Sequence, residues 1–166
     1  MRVYVPATLA MLRSLVADGE LRAVSGTAFA LTPMLRESYS TGDTEELEYA
    51  AMTEAARASL RLLSASLDEP GELPRRVVVS ADVDGVRLRP DLDDGAVTLP
   101  GPVPVGAVAA VHVDLAEAEP AVRAAVDVVD AADLGDPDAE FTLGAAEDHE
   151  MAWYATQELP FLLDLL

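Results

Sequence analysis

The 166-residue chain contains no cysteine, lysine, asparagine or isoleucine, so all 11 of its basic residues are arginine. Without cysteine there is no disulfide framework, no thiolate nucleophile and no thiolate metal ligand. Without lysine there is no phosphate-loop lysine and no Schiff-base amine. Lysine, asparagine and isoleucine have AT-rich codons, and their joint absence fits the mutational bias of a GC-rich bacterial genome. The patterns GxSxG, GxGxxG and GxxxxGK[ST] are also missing, which removes the markers of a nucleophile elbow, a dinucleotide fold and a P-loop. No apolar run approaches the roughly 20 residues that span a bilayer. The opening Met1 to Pro6 reads as a strand rather than as a charged segment followed by an apolar leader. A cytoplasmic location with no membrane contact is expected.

Two histidines, 30 acids, hydroxyls and arginines remain, giving a formal net charge of -19. Nucleic-acid affinity comes largely from counterion release by clustered Lys and Arg, so direct DNA or RNA binding is not expected. An acidic mimic of DNA would share the charge, but solubility is the simpler use of it. Hydrophobic residues make up 51% of the chain and aromatics only 5%, which points to a folded core of Val, Leu and Ala.

The periodicities predict a single α+β domain over residues 1–166, a sandwich of a mixed β-sheet with helices packed on it. A linker over 65–75 separates a helical N-terminal part from a β-rich part. Arg2 to Val5 alternates as a strand, and Thr8 caps a helix ending at Gly19, with Leu9, Leu12 and Val16 facing inward. Ala28 to Leu31 reads as a strand, followed by Thr32 as N-cap and Pro33 at the first helical position. Asp43 and Glu46 have capping-box spacing and launch the longest helix, about Thr44 to Ser64. Leu47, Ala51, Ala58 and Leu62 form one apolar stripe on it, and Tyr49, Met52, Ala56, Leu60 and Leu63 a second. Such a helix is either sandwiched inside the domain or shared with a second subunit, which keeps a homodimer open.

Val77 to Val79 reads as a strand covered on both faces, Asp84-Gly85 as a two-residue hairpin, and 96–99 and 108–113 as further strands. Pro120 opens an amphipathic helix burying Val122, Ala125, Val126 and Val129, with Arg123 and Asp127 spaced to pair. Gly135 to Asp138 ends that helix. A last helix is predicted over about Ala146 to Leu159.

No constellation completes a known catalytic or metal motif. His149-Glu150 lacks the second histidine of HExxH, since Trp153 occupies that position, and Glu-x-x-His precedes neither His112 nor His149. Asp82 with Asp84, and Asp91, Asp93 and Asp94, resemble fragments of a calcium loop without its twelve-residue pattern, so turn chemistry explains them. No cofactor and no metal is expected. The least bland segment is His149 to Glu158. On a helix, Met151, Ala155 and Leu159 would face the core and Trp153 would point away, so Trp153 and His149 either pack on a second element, form a partner or ligand surface, or place His149 for catalysis. Glu48 is a second oddity, because its helical angle sets a carboxylate beside Ala51 and Ala55. His112 alternates away from its valine neighbours and is expected at a solvent-side or hydrogen-bonded position.

The segments Met1-Arg-Val-Tyr-Val-Pro-Ala-Thr8, Glu45-Glu-Leu-Glu-Tyr-Ala-Ala51 and Trp153-Tyr-Ala-Thr-Gln-Glu158 resemble a family of short, uncharacterised actinobacterial proteins. The resemblance covers nearly the whole chain and brings no activity, cofactor or site residues with it. The candidate surface is therefore Glu48, His149, Trp153, Tyr154 and Glu158, in a binding or regulatory protein whose partner is another protein or a small ligand. The alternative is a small acid-base enzyme using carboxylates and His149 on a neutral or cationic substrate. Convergence of Glu48, His149 and Tyr154 in one pocket would favour that alternative.

Overall fold

The computed structural model describes all 166 residues. Its centre is β1 (Arg2–Ala7), which pairs antiparallel with β3 (Thr27–Phe29) on one side and β4 (Val77–Asp82) on the other. With β5 (Arg87–Leu88), β6 (Ala96–Thr98), β8 (Val108–Val113) and β9 (Ala152–Tyr154), these form a seven-stranded sheet ordered β5-β6-β3-β1-β4-β8-β9. A separate two-stranded ribbon joins β2 (Glu20–Leu21) to β7 (Val103–Pro104). Every ladder is antiparallel, so the α+β class holds while the sheet is not mixed in direction.

Alternation along the strands divides the side chains into two layers. Val3, Val5, Val77, Val79, Val111 and Val113 face α1 (Leu9–Asp18) and α6 (Leu159–Asp164), which contribute Leu9, Leu12, Leu15, Leu159 and Leu162. Helix α1 runs from the Thr8 cap to Gly19, which takes the left-handed conformation. Leu15 rather than Val16 is its third inward residue, and Val16 is exposed. Tyr4, Phe29, Val78 and Ala96 face the opposite way, against α3 (Thr44–Ser66) and Leu35 of α2 (Pro33–Ser38).

The Asp43 carboxylate caps α3 by accepting from the Glu46 amide. Both sequence stripes on α3 are used. Leu47 and Ala51 are buried and Ala58 and Leu62 half-buried, while Leu60 and Leu63 pack on α4 (Glu119–Asp133) and α5 (Pro137–Glu147). The helix is thus sandwiched between the sheet and a helical pair. Ser59, fully buried on α3, donates to the Ala7 carbonyl at 2.8 Å and accepts from the Val77 amide at 3.1 Å, clamping the helix to the end of the β1–β4 ladder. Arg57 and Arg61 tie the other flank to α4 and α5 through Asp133 and Glu140.

Three further sequence expectations fail in this architecture. The helix expected over Ala146–Leu159 is the end of α5 followed by β9. Asp136 and Pro137 do stop α4, but the Asp136 carboxylate also caps the next helix, with Pro137 in its first turn, so one set of breakers serves as both stop and start. Asp84-Gly85 does not join paired strands, because β4 and β5 lie at separated places in the sheet order. The hairpin is instead β5–β6, closed through Pro90 to Gly95, where Asp91 pairs with Arg89 and Asp94 accepts from Ser38 and Thr32. Arg123 and Asp127 form no ion pair although their spacing permits one; the strong arginine contacts run between elements instead. No helix is long and apolar enough to cross a membrane.

Candidate functional site

Helix α3 covers the middle of its side of the sheet and leaves β8 and β9 open. The result is a cleft of about 580 Å³ bounded by α3, the β8–β9 face and the segment from Glu147 to Met151. A smaller extension of about 280 Å³ continues beside it and shares Tyr49, Met52, His112 and Trp153.

The floor follows from strand register. Tyr4 lies opposite Ser80, and Ser80 opposite Ala110; one row along, His112 lies opposite Val78 on one side and Trp153 on the other. All of these share the α3 face because residues two apart on a strand point the same way. A register shift between Ser80 and Ala81 interrupts the β4–β8 ladder beside the floor, a bulge of the kind that re-aims side chains near sites. Ser80 Oγ and His112 Nε2 are 3.2 Å apart. Burial holds the His112 imidazole below its ordinary value, so it is neutral at pH 7. Tyr4 donates its hydroxyl to Glu48 Oε2 at 3.2 Å, and burial together with the Glu48 charge pushes the phenol up to about 12. At the rim of the extension, Arg2 is held by Asp82 at 2.8 Å.

The far end is fixed by a buried ion pair. Asp114 is fully buried and Arg76 is 3% exposed; the Arg76 amide, Nε and Nη2 all donate to the Asp114 carboxylate at 2.8 Å, and Nη2 also donates to the His149 carbonyl at 2.9 Å. The pair therefore ties the start of β4, the end of β8 and the approach to β9 together. Arg76 lines the cleft, and its Nη1 has no acceptor in the protein.

Of the residues expected to form a surface, Glu48, His149 and Trp153 line the two connected cavities. Tyr154 and Glu158 do not. Trp153 lies on a strand, so the next residue points to the opposite face, where Tyr154 packs against the α1–α6 layer. Glu158 accepts from the Ala155 amide and starts the turn into α6. Glu48, His149 and Tyr154 thus do not converge in one pocket: Glu48 lines only the extension, His149 only the main cleft, and Tyr154 neither. Trp153 remains 60% exposed and Tyr49 65%, uncovered by any second packing element.

Sequence reasoning missed Arg2, Tyr4, Arg76 and Ser80 as site residues and left His112 bland. The available signal was alternation: Tyr4, Ser80 and His112 interrupt the interior of otherwise valine-rich strands. A profile of a family of unknown function, DUF6912, matches residues 1–163. The chain belongs to that family. No curated protein and no solved structure is detectably similar to it. Membership in DUF6912 assigns no chemistry, so the cleft is read from its own geometry.

Proposed function

We propose that the protein is a binding protein that takes a small ligand in the cleft between α3 and β8–β9. The observation that carries this reading is the coincidence of exposed aromatics with a guanidinium N–H that opens into the same cleft. Trp153 and Tyr49 are large aromatic side chains that the core does not use, and both line a space of the size that takes a small ligand. Arg76 contributes Nη1, which has no acceptor in the chain and faces the cleft, where a ligand can accept from it. A ligand with an apolar or planar body and one acceptor would meet both needs.

The only tryptophan lies in the cleft, which gives the test a direct readout. A library of small metabolites is screened by Trp153 fluorescence and by thermal shift. A ligand at about 100 times its Kd raises stability by about 2.7 kcal/mol, or roughly 5–11 °C for a domain of this size. Trp153→Ala should remove that shift while changing the ligand-free melting temperature little, because the side chain is mostly exposed. A library without a single hit, or hits that stabilise the variant equally, would defeat the reading.

A second reading, general acid-base catalysis, is favoured by one contact, the Ser80–His112 pair. A neutral imidazole 3.2 Å from a hydroxyl is the geometry of a base beside a nucleophile. His112 makes no other side-chain hydrogen bond to orient its ring, so binding is preferred. Covalent capture of Ser80 by a fluorophosphonate, lost in His112→Ala, would reverse that preference.

A further inference from the structure

The cleft also carries an electrostatic preference that its shape alone does not specify. Four carboxylates line the cleft and its extension: Glu147 and Glu150 at the α5–β9 end, Glu45 and Glu48 on α3. None is in an ion pair, and only Glu48 has a hydrogen-bonding partner, the neutral Tyr4 hydroxyl. The two arginines on the same surface are both neutralised, Arg2 by Asp82 and Arg76 by Asp114. The lining is therefore net negative within a chain of charge -19. Trp153 and Tyr49, the exposed aromatics there, present faces that attract cations through their quadrupoles.

We propose that the ligand is an organic cation, with an ammonium group beside Trp153 and Tyr49 near Glu147 and Glu150, and a carboxylate or carbonyl of the same molecule accepting from Arg76 Nη1. The proposal rests on the cleft being a ligand site. Two independent features meet in it. The acids and aromatics select positive charge, while the Arg76 guanidinium, held in place by Asp114, opens its one nitrogen without a protein acceptor to the cleft and selects an acceptor. An anion without the cationic group would face four uncompensated carboxylates. A neutral molecule would gain nothing from them.

The test titrates the full chain, at fixed ionic strength, with three probes followed by Trp153 fluorescence. γ-Butyrobetaine carries a quaternary ammonium and a carboxylate, choline carries the ammonium alone, and 5,5-dimethylhexanoate replaces the ammonium of γ-butyrobetaine with an uncharged carbon. Saturable binding of γ-butyrobetaine is expected to be at least about tenfold tighter than that of 5,5-dimethylhexanoate, with choline between them. Glu147→Gln/Glu150→Gln, two exposed positions whose substitution leaves folding intact, should weaken γ-butyrobetaine about tenfold and leave 5,5-dimethylhexanoate unchanged or tighter. Equal binding of the charged and uncharged isosteres, or no saturable response to either cation, overturns the inference. If uncharged library members still bind in a Trp153-dependent way, only the charge preference has failed; if nothing binds, the ligand site has failed with it.

Discussion

Replacing Asp114 with alanine should be among the most damaging single changes in the molecule. The carboxylate accepts three hydrogen bonds from Arg76 at 2.8 Å each and is fully out of solvent. Its removal leaves a guanidinium that is 3% exposed with one remaining acceptor, the His149 carbonyl. A buried charge deprived of its partner costs about 3–5 kcal/mol. Domains of this kind have about 5–15 kcal/mol of stability in all, so roughly a fifth or more would be lost. At roughly 2–4 °C per kcal/mol for this length, the melting temperature should drop by about 6–20 °C.

Urea and thermal unfolding followed by far-UV circular dichroism measure the loss directly. The comparison that isolates the mechanism is Arg76→Met/Asp114→Leu, which removes both charges and fills the space with apolar atoms. Exchange of a buried pair for hydrophobic residues is often neutral or stabilising, so the double variant should be more stable than Asp114→Ala. A loss below about 1 kcal/mol for Asp114→Ala, or a double variant no better than the single one, would refute the assignment of an isolated, desolvated pair.

Two further outcomes follow from the polar contacts elsewhere in the fold. Ser59→Ala strands the Val77 amide and the Ala7 carbonyl in a dry interface, and denaturant unfolding should show a loss of about 1–3 kcal/mol; a change under about 0.5 kcal/mol would mean that water or another group takes over. Tyr4, with its phenol near 12, should be the last of the four tyrosines to ionise in an ultraviolet absorbance titration. The folded state keeps that proton where the unfolded chain releases it at about 10, so this contribution to stability is intact below pH 10 and declines as pH rises toward 12. Tyr4→Phe should abolish both the late step and that part of the decline.

The local chemistry of the chain was legible and the long-range partnerships were not. Thr8, Thr32, Asp43, Pro33 and Gly19 mark their helix ends because a cap needs only the residues beside it. Val77 to Val79 reads correctly as a doubly covered strand because continuous apolar runs have few other uses. The segment 137–159 was misread for a related reason. Its α5 has no strong amphipathic face, since one side packs on α4 through Ala139, Leu143 and Ala146 while Phe141 stands exposed. Periodicity therefore carried the helix forward into Trp153-Tyr154, where two bulky aromatics favour a strand.

The same residue stands out under either geometry. On a helix, Trp153 stood out by pointing away from Met151 and Leu159; on β9 it stands out because it points away from Tyr154 and the α1–α6 layer. Either way a large aromatic lies off the main core, and that depends on composition rather than on conformation. The residues around it were beyond reach for a different reason. Tyr4, Ser80, His112 and Trp153 come from four strands separated by long stretches of sequence, and they share a surface only through the ladders β1–β4, β4–β8 and β8–β9. Each can be picked out in its own strand, but nothing local joins one to another. What gathers them in one cleft is that α3, held by Ser59 over β1 and β4 and drawn toward α4 and α5 by Leu60 and Leu63, leaves the β8–β9 face open. Adding bulk at Ala110 or Ala56, small residues on the two walls, would fill the opening without touching the clamp that sets it.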